Sequence, residues 1–154
     1  MNAHYAGTPP PADWRERLAA RLGQRPRRIG VWAELALYGA RRCLDAAGLD
    51  VLPAGALLRA ASLRGPMQAT REAVEQGKSG LPMPFTFLQS QPCQALATLS
   101  VALGWQGDAR FIACRDRELL LRMAEREAER HGVLYGWIEE GAKPSTEWWW
   151  IGAA

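Results

Sequence analysis

Apolar residues recur along this chain with two different periods, and the alternation between those periods outlines the fold. Between Pro84 and Arg115 both periods occur side by side. Phe85 to Leu88 is a short β-prone run bounded by Pro84 and by Gln89-Ser90-Gln91, so it predicts a strand. Pro92 then opens a helical pattern in which Leu96, Leu99 and Leu103 share one face, while Ala95, Ala97 and Ala102 keep the rest of the cylinder thin. Gly104 ends that helix, Trp105-Gln106-Gly107 turns the chain, and Ala109 to Cys114 is an apolar run of strand length. A further helix starts near Asp116. This strand-to-helix corner is the first place to expect chemistry.

Read in order, the chain begins with a polar, proline-rich leader, residues 1–12, too poor in apolar residues to fold alone and expected to be loose. Residues 13–154 are expected to form a single domain, a size that supports one core. Trp14, Leu18 and Leu22 repeat at four-residue steps and predict a helix. Ile29 to Gly48 is the longest helical pattern, with Trp32, Leu35, Ala36, Gly39, Cys43 and Ala46 on its apolar side and Ala33, Ala40 and Ala47 as a small-residue stripe. Ala54 to Ser62 reads as an interior strand and Pro66 to Gln76 as a helix. Asp116 to His131 is a strong helix, with Leu119, Leu120, Met123 and Ala124 on the buried side. Val133 to Ile138 and Thr146 to Ile151 are strands whose short link implies a hairpin. Strands alternating with helices predict an α/β protein, a mixed sheet of about four to five strands with helices packed against it.

Composition changes this picture little. Of 154 residues, 48% are hydrophobic, and 19 Lys and Arg against 16 Asp and Glu give a net charge of only +3. That balance alone predicts no nucleic-acid partner. No apolar run is long enough to span a bilayer and no signal peptide opens the chain, so the expected location is the cytoplasm. Three cysteines, Cys43, Cys93 and Cys114, are expected as free thiols. No metal-ligand spacing and no phosphate-binding glycine loop is present, and no cofactor is implied.

Three groups of residues stand out. Arg15, Arg17, Arg21, Arg25, Arg27 and Arg28 form a basic run, read either as a solvated helix face or as a docking surface for an acidic partner. Trp148-Trp149-Trp150 alternates faces within a strand, read either as a layer sandwiched in the core or as an aromatic surface for a partner chain. Cys93 and Cys114 each stand at a helix start, where a thiolate is favoured; the plain alternative for both is a packed thiol. Cys43 reads as a small core residue.

The order of these segments (RPRR, CLDAAGLD, PMPFTF, QALATLSVALGWQGDARFIA and VLYGWIEE) resembles the N-terminal half of the β-ketoacyl synthases of the thiolase superfamily. It is most similar to the small chain-length-factor-type proteins of type II polyketide and aryl polyene pathways. Leu103-Gly104-Trp105-Gln106-Gly107 matches the Leu-Gly-x-x-Gly element that leads to the family's nucleophile strand. The resemblance implies a thiolase-like half, and it places Cys114 near the corner used for the nucleophile. There the chain departs from the family: charged Arg115-Asp116-Arg117-Glu118 follows in place of small residues. The family's imidazole and amide partners come from its C-terminal half, for which we expect no counterpart in this chain. Its two histidines are His4 and His131. The resemblance therefore implies a non-catalytic, ketosynthase-like subunit supporting acyl-chain elongation. Its partners would be a ketosynthase or a second copy of itself, together with an acyl carrier protein at the arginine run, and its interface would include Trp148, Trp149, Trp150, Phe85 and Phe87. The alternatives are a small thiolase-related acyltransferase or thioesterase using Cys114, and a stand-alone acyl- or lipid-binding protein.

Overall fold

In a computed structural model that describes residues 2–81 and 83–153, the chain is a three-layer α/β structure. The elements are β1 (Ala3–Gly7), α1 (Trp14–Leu22), α2 (Val31–Ala46), β2 (Leu57–Ser62), α3 (Met67–Lys78), α4 (Pro84–Gln89), α5 (Pro92–Ala102), β3 (Ala109–Ala113), α6 (Arg117–Ala128), β4 (Val133–Glu139) and β5 (Ser145–Ile151). The sheet has the order β1-β5-β4-β2-β3. β2 runs parallel to β3 and β4, while β4–β5 and β1–β5 are antiparallel, so the sheet is mixed as the short link before Ser145 implied.

Alternation along each strand divides the sheet into two unlike faces. Leu58, Ala60, Leu134, Ile138, Trp148 and Trp150 point to one face, where α2 and α5 lie and α1 packs on α2. Ala61, Val133, Tyr135 and Trp137 point to the other, where α6 is the covering helix through Leu120, Ala124 and Ala128. Leu119 and Met123, placed by periodicity on the buried side of α6, are instead 43% and 48% exposed. A single helix on a five-stranded face presents one narrow stripe to it, and these two side chains flank that stripe.

Two segments differ from the sequence expectation. The leader is not loose through Ala12, because residues Ala3–Gly7 pair with β5 from Ala3↔Trp150 to Gly7↔Thr146. Its alternation is short but real: Ala3 and Tyr5 pack toward α2, and His4 on the opposite face stacks on Trp149 at 4.9 Å. The run Phe85 to Leu88 is helical in place of a strand. Pro84 occupies the first helical position behind extended Met83, and Phe87 N–H bonds Met83 O at 3.2 Å. Pro92 repeats the device behind extended Gln91. Local β propensity lost because the segment packs on α3, away from any free strand edge.

The closest packing in the fold involves glycines. Gly39 of α2 and Gly136 of β4 lie against the two sides of the Trp148 indole, so a Cβ at either would overlap that ring. The Trp148 Nε1–H donates to Thr146 Oγ1 at 3.0 Å, and Thr146 Oγ1–H donates to Leu35 O at 2.9 Å, so the buried polar atoms there are satisfied. Charged residues fix the connections. Buried Arg41 donates to the carbonyls of Leu49 and Asp50, holding the loop after α2. Arg59, on β2, pairs with Glu127 at 2.8 Å and Asp108 at 3.1 Å, tying α6 to the start of β3.

Gly39→Ala and Gly136→Ala are expected to lower stability by about 1–3 kcal/mol each in urea unfolding, as overpacking does. Gly77→Ala in α3, where a Cβ meets nothing within 4 Å, is expected to gain about 0.5–1 kcal/mol. Glu140, which accepts the Gln68 N–H at the start of α3, has its carboxyl pKa pushed up by burial, with Glu72 and Glu139 adding to the rise. A raised folded pKa means that stability falls as the pH rises above the ordinary glutamate value of 4.5. Glu140→Gln is therefore expected to raise the melting temperature at pH 7, and the gain should vanish below that value.

Candidate functional site

The strand-to-helix corner is built by β3 and α6. Cys114 follows β3 directly, and its N–H bonds Ser62 O at 3.2 Å, which extends the β2–β3 pairing by one step. The thiol then meets the backbone of Asp116: Asp116 N–H donates to Sγ at 3.4 Å, and Sγ–H reaches Asp116 O at 3.7 Å. Asp116 is the N-cap of α6, its carboxylate accepting Leu119 N–H at 2.9 Å. The Leu119 amide is thus taken by a carboxylate two residues from the thiol, and that negative charge at the helix start disfavours a thiolate even though the Asp116 amide reaches Sγ.

Of the cations and imidazoles in question, Arg117 and His4 are held by a carboxylate and His131 is remote, while Arg115, exposed beside Cys114, has no carboxylate partner among the described residues. Arg117 is ion-paired with Glu147 and lies 5.6 Å from the Trp137 ring. His4 Nε2 bonds Glu147 Oε1 at 3.0 Å, and His131 sits beyond the opposite end of α6, more than 12 residues and so roughly 18 Å along the helix from Cys114. Tyr135, whose ring stacks on Trp149, is buried at this end of the sheet with no hydrogen-bond partner for its hydroxyl, and burial pushes its pKa up to about 12. Cys93 is exposed on the first turn of α5. Cys43 is buried in the core, where desolvation pushes its thiol up to about 12. Among the described residues no three His, Cys, Asp or Glu side chains group as metal ligands.

The arginine run divides in two. Arg15 pairs with Glu34 and Arg21 bridges Asp45 and Asp50, which ties α1 to α2 and the loop after it, while Arg17 pairs with Asp13 at the start of its own helix, all at 2.8–3.0 Å. Gly23, at φ +72°, ends α1 and sends the chain into a loop. Arg25, Arg27 and Arg28 lie exposed on that loop, with Arg28 stacked 4.8 Å over Phe85. The tryptophans divide as well: Trp148 and Trp150 are core residues of this chain, 0% and 6% exposed, and offer little surface to a partner. Trp149 is partly open on the α6 face, and Phe85 and Phe87 are half or more exposed on α4.

Two features escaped the sequence reading. The stack of His4, Trp149 and Tyr135 joins three strands, and only the pairing of β1 with β5 brings it together. An open apolar groove of about 580 Å³ runs between the α1–α2 loop, α2 and α5. The alanines that thin the outer side of α5 were its one trace in the sequence.

No protein-family model and no curated protein matches the chain. Solved structures do. The chain superimposes on the ishigamide ketosynthase/chain length factor with a TM-score of 0.63 at 17% identity, over 75% of its own length and 32% of that chain. It superimposes on a chain of the ketosynthase ApeO in complex with its chain length factor ApeC, from Xenorhabdus doucetiae. There the TM-score is 0.68 at 12% identity, over 100% of its own length and 77% of the other. The chain has a ketosynthase-type fold. It spans about a third of the first of these structures, and the likeness carries the architecture alone. Within the ketosynthase-type fold, the Leu103-Gly104 turn after α5 is a tight close: Gly104 takes φ +60°, and Leu103 is buried under it. No helix among the described residues is long and apolar enough to cross a membrane.

Treating the folded protein with iodoacetamide at pH 8 is expected to label Cys93 first and Cys114 more slowly. Cys43 should stay unmodified until urea unfolds the chain, as peptide mass spectrometry would show.

Proposed function

We propose that this protein is a ketosynthase-like accessory subunit of the chain-length-factor type. It would pair with a complete ketosynthase, or with a second copy of itself, and support acyl-chain elongation without forming the carbon–carbon bond. The observation that carries this reading is the ketosynthase-type fold joined to a nucleophile corner whose helix start is already filled by Asp116. Condensation needs a thiolate together with donors that polarise a thioester. The imidazoles of this chain lie at Glu147 and at the far end of α6 instead.

Two surfaces support a partnered role. Leu81, Met83, Phe85, Phe87 and Leu88 expose apolar side chains on and beside α4, a patch of the kind that meets another protein. Arg25, Arg27 and Arg28, the members of the run without a carboxylate partner among the described residues, form the face that would meet an acidic carrier protein. The elongation it would support is that of a type II fatty acid, polyketide or aryl polyene pathway, and the fold does not favour one of them.

Co-expression with a ketosynthase from the same genome is expected to yield a complex that co-elutes in size exclusion and changes product length in reconstitution. A strictly monomeric chain with no effect on product length would overturn the reading. Incubation with acyl thioesters is expected to leave Cys114 and Cys93 unacylated by mass spectrometry; a turnover-competent adduct on Cys114 would instead make the protein an acyltransferase or thioesterase.

A further inference from the structure

The groove beside α5 adjoins the arginine face assigned above to a carrier protein, but its apolar walls have no part in that role. Its floor is the buried Leu37, and its walls are Leu22, Ile29, Ala97 and Val101. Val101 is 83% exposed, the most exposed large apolar side chain among the described residues. The groove remains open because α5 carries Ala97 and Ala102 where a larger side chain would fill it. At one end Gln24 and Pro26 form a shared wall with a second recess of about 470 Å³, lined by Gln24, Arg25, Pro26 and Arg27. An apolar trough thus runs directly into a cationic one, and neither guanidinium has a carboxylate partner among the described residues.

We infer that these adjoining recesses form a binding site for a single-chain anionic amphiphile, a free carboxylate-headed alkyl chain. The tail would lie along Leu22, Ala97 and Val101 and the head between Arg25 and Arg27. The apolar volume falls within the roughly 300–1,000 Å³ of small-ligand sites. Burying the tail covers Val101, and Arg25 and Arg27, which line the same recess, would supply charge-assisted hydrogen bonds to the head. The inference does not rest on the pairing with a ketosynthase, because binding is read on this chain alone.

The test uses dodecanoate below its micellar concentration, followed by amide chemical shifts of the full-length protein. Saturable shifts are expected at Ala97, Thr98 and Val101. Dodecyltrimethylammonium, with the same tail and the opposite head, is expected to bind at least about tenfold more weakly. Ala97→Leu, at an exposed position, should abolish binding at an unchanged melting temperature. The pair Arg25→Glu and Arg27→Glu should weaken dodecanoate about tenfold and reverse the preference between heads. Equal binding of the two heads, or dodecanoate binding that survives both sets of substitutions, would overturn the site. So would co-sedimentation with phosphatidylglycerol vesicles, or capture of an acidic amphipathic peptide, in the absence of dodecanoate binding.

Discussion

The indole of Trp148 lies across Gly136 of the neighbouring strand and beneath Gly39 of the helix above, and the spacing between sheet and helix is set by that contact. Burying one indole removes roughly 200 Å² from water, worth about 5 kcal/mol before the cost of ordering it. The gain depends on two positions having no side chain at all. Because β4 and β5 form a hairpin, Gly136 faces Trp148 directly, and the ring fills the space that two ordinary side chains would share. Thr146 then passes the indole hydrogen bond to the carbonyl of Leu35, so α2 is fixed in rotation as well as in height. From that fixed helix follow the position of α1, held by Arg15 and Arg21, and the groove between α2 and α5.

The two sheet faces have different fates for a related reason. On the α2 side, two long helices cover the strands and bury nearly every large side chain. On the other side α6 alone covers the centre, and the rings of His4, Trp149 and Tyr135 shield the strands beside it. A ring stack is a cover made of side chains, and its members keep part of their surface open. The outward residues of α6, Leu119 and Met123, remain open for the same reason. A ketosynthase-type fold of this extent therefore presents one finished face and one partly finished one.

Chemistry at the β3–α6 corner is limited by a local competition. A helix start holds one anion well, and here the N-cap carboxylate of Asp116 holds that place ahead of the Cys114 thiol. Arg117 could neutralise a thiolate only by leaving Glu147, and Glu147 also holds His4. One carboxylate on β5 thus engages both Arg117 and His4, which draws that guanidinium and that imidazole away from the Cys114 thiol.

Much of this was written in local sequence. Periodicity located α1, α2, α5, α6 and the strands β2 to β5, because each buries a stripe or a face that its own spacing reveals. Cys43 read correctly as core, since a free thiol on the apolar side of a long helix is surrounded by its neighbours. Other features depended on residues far apart in the chain. β1 is five residues with weak alternation, and it becomes a strand because β5 offers it an edge. Phe85 to Leu88 has strand-forming residues and becomes α4 because it packs on helices, α3 and α5, and meets no strand edge. The arginine run is uniform in sequence, yet Arg15 and Arg21 are structural because carboxylates on α2 and the loop after it meet them, Arg17 pairs within its own helix, and Arg25, Arg27 and Arg28 meet no carboxylate among the described residues. What the sequence alone determined was the set of elements, through periodic burial and the prolines and glycines that bound them. What only tertiary structure decided was which like residues meet partners, because charge pairing, ring stacking and edge pairing are set by distances in space that spacing along a chain does not encode.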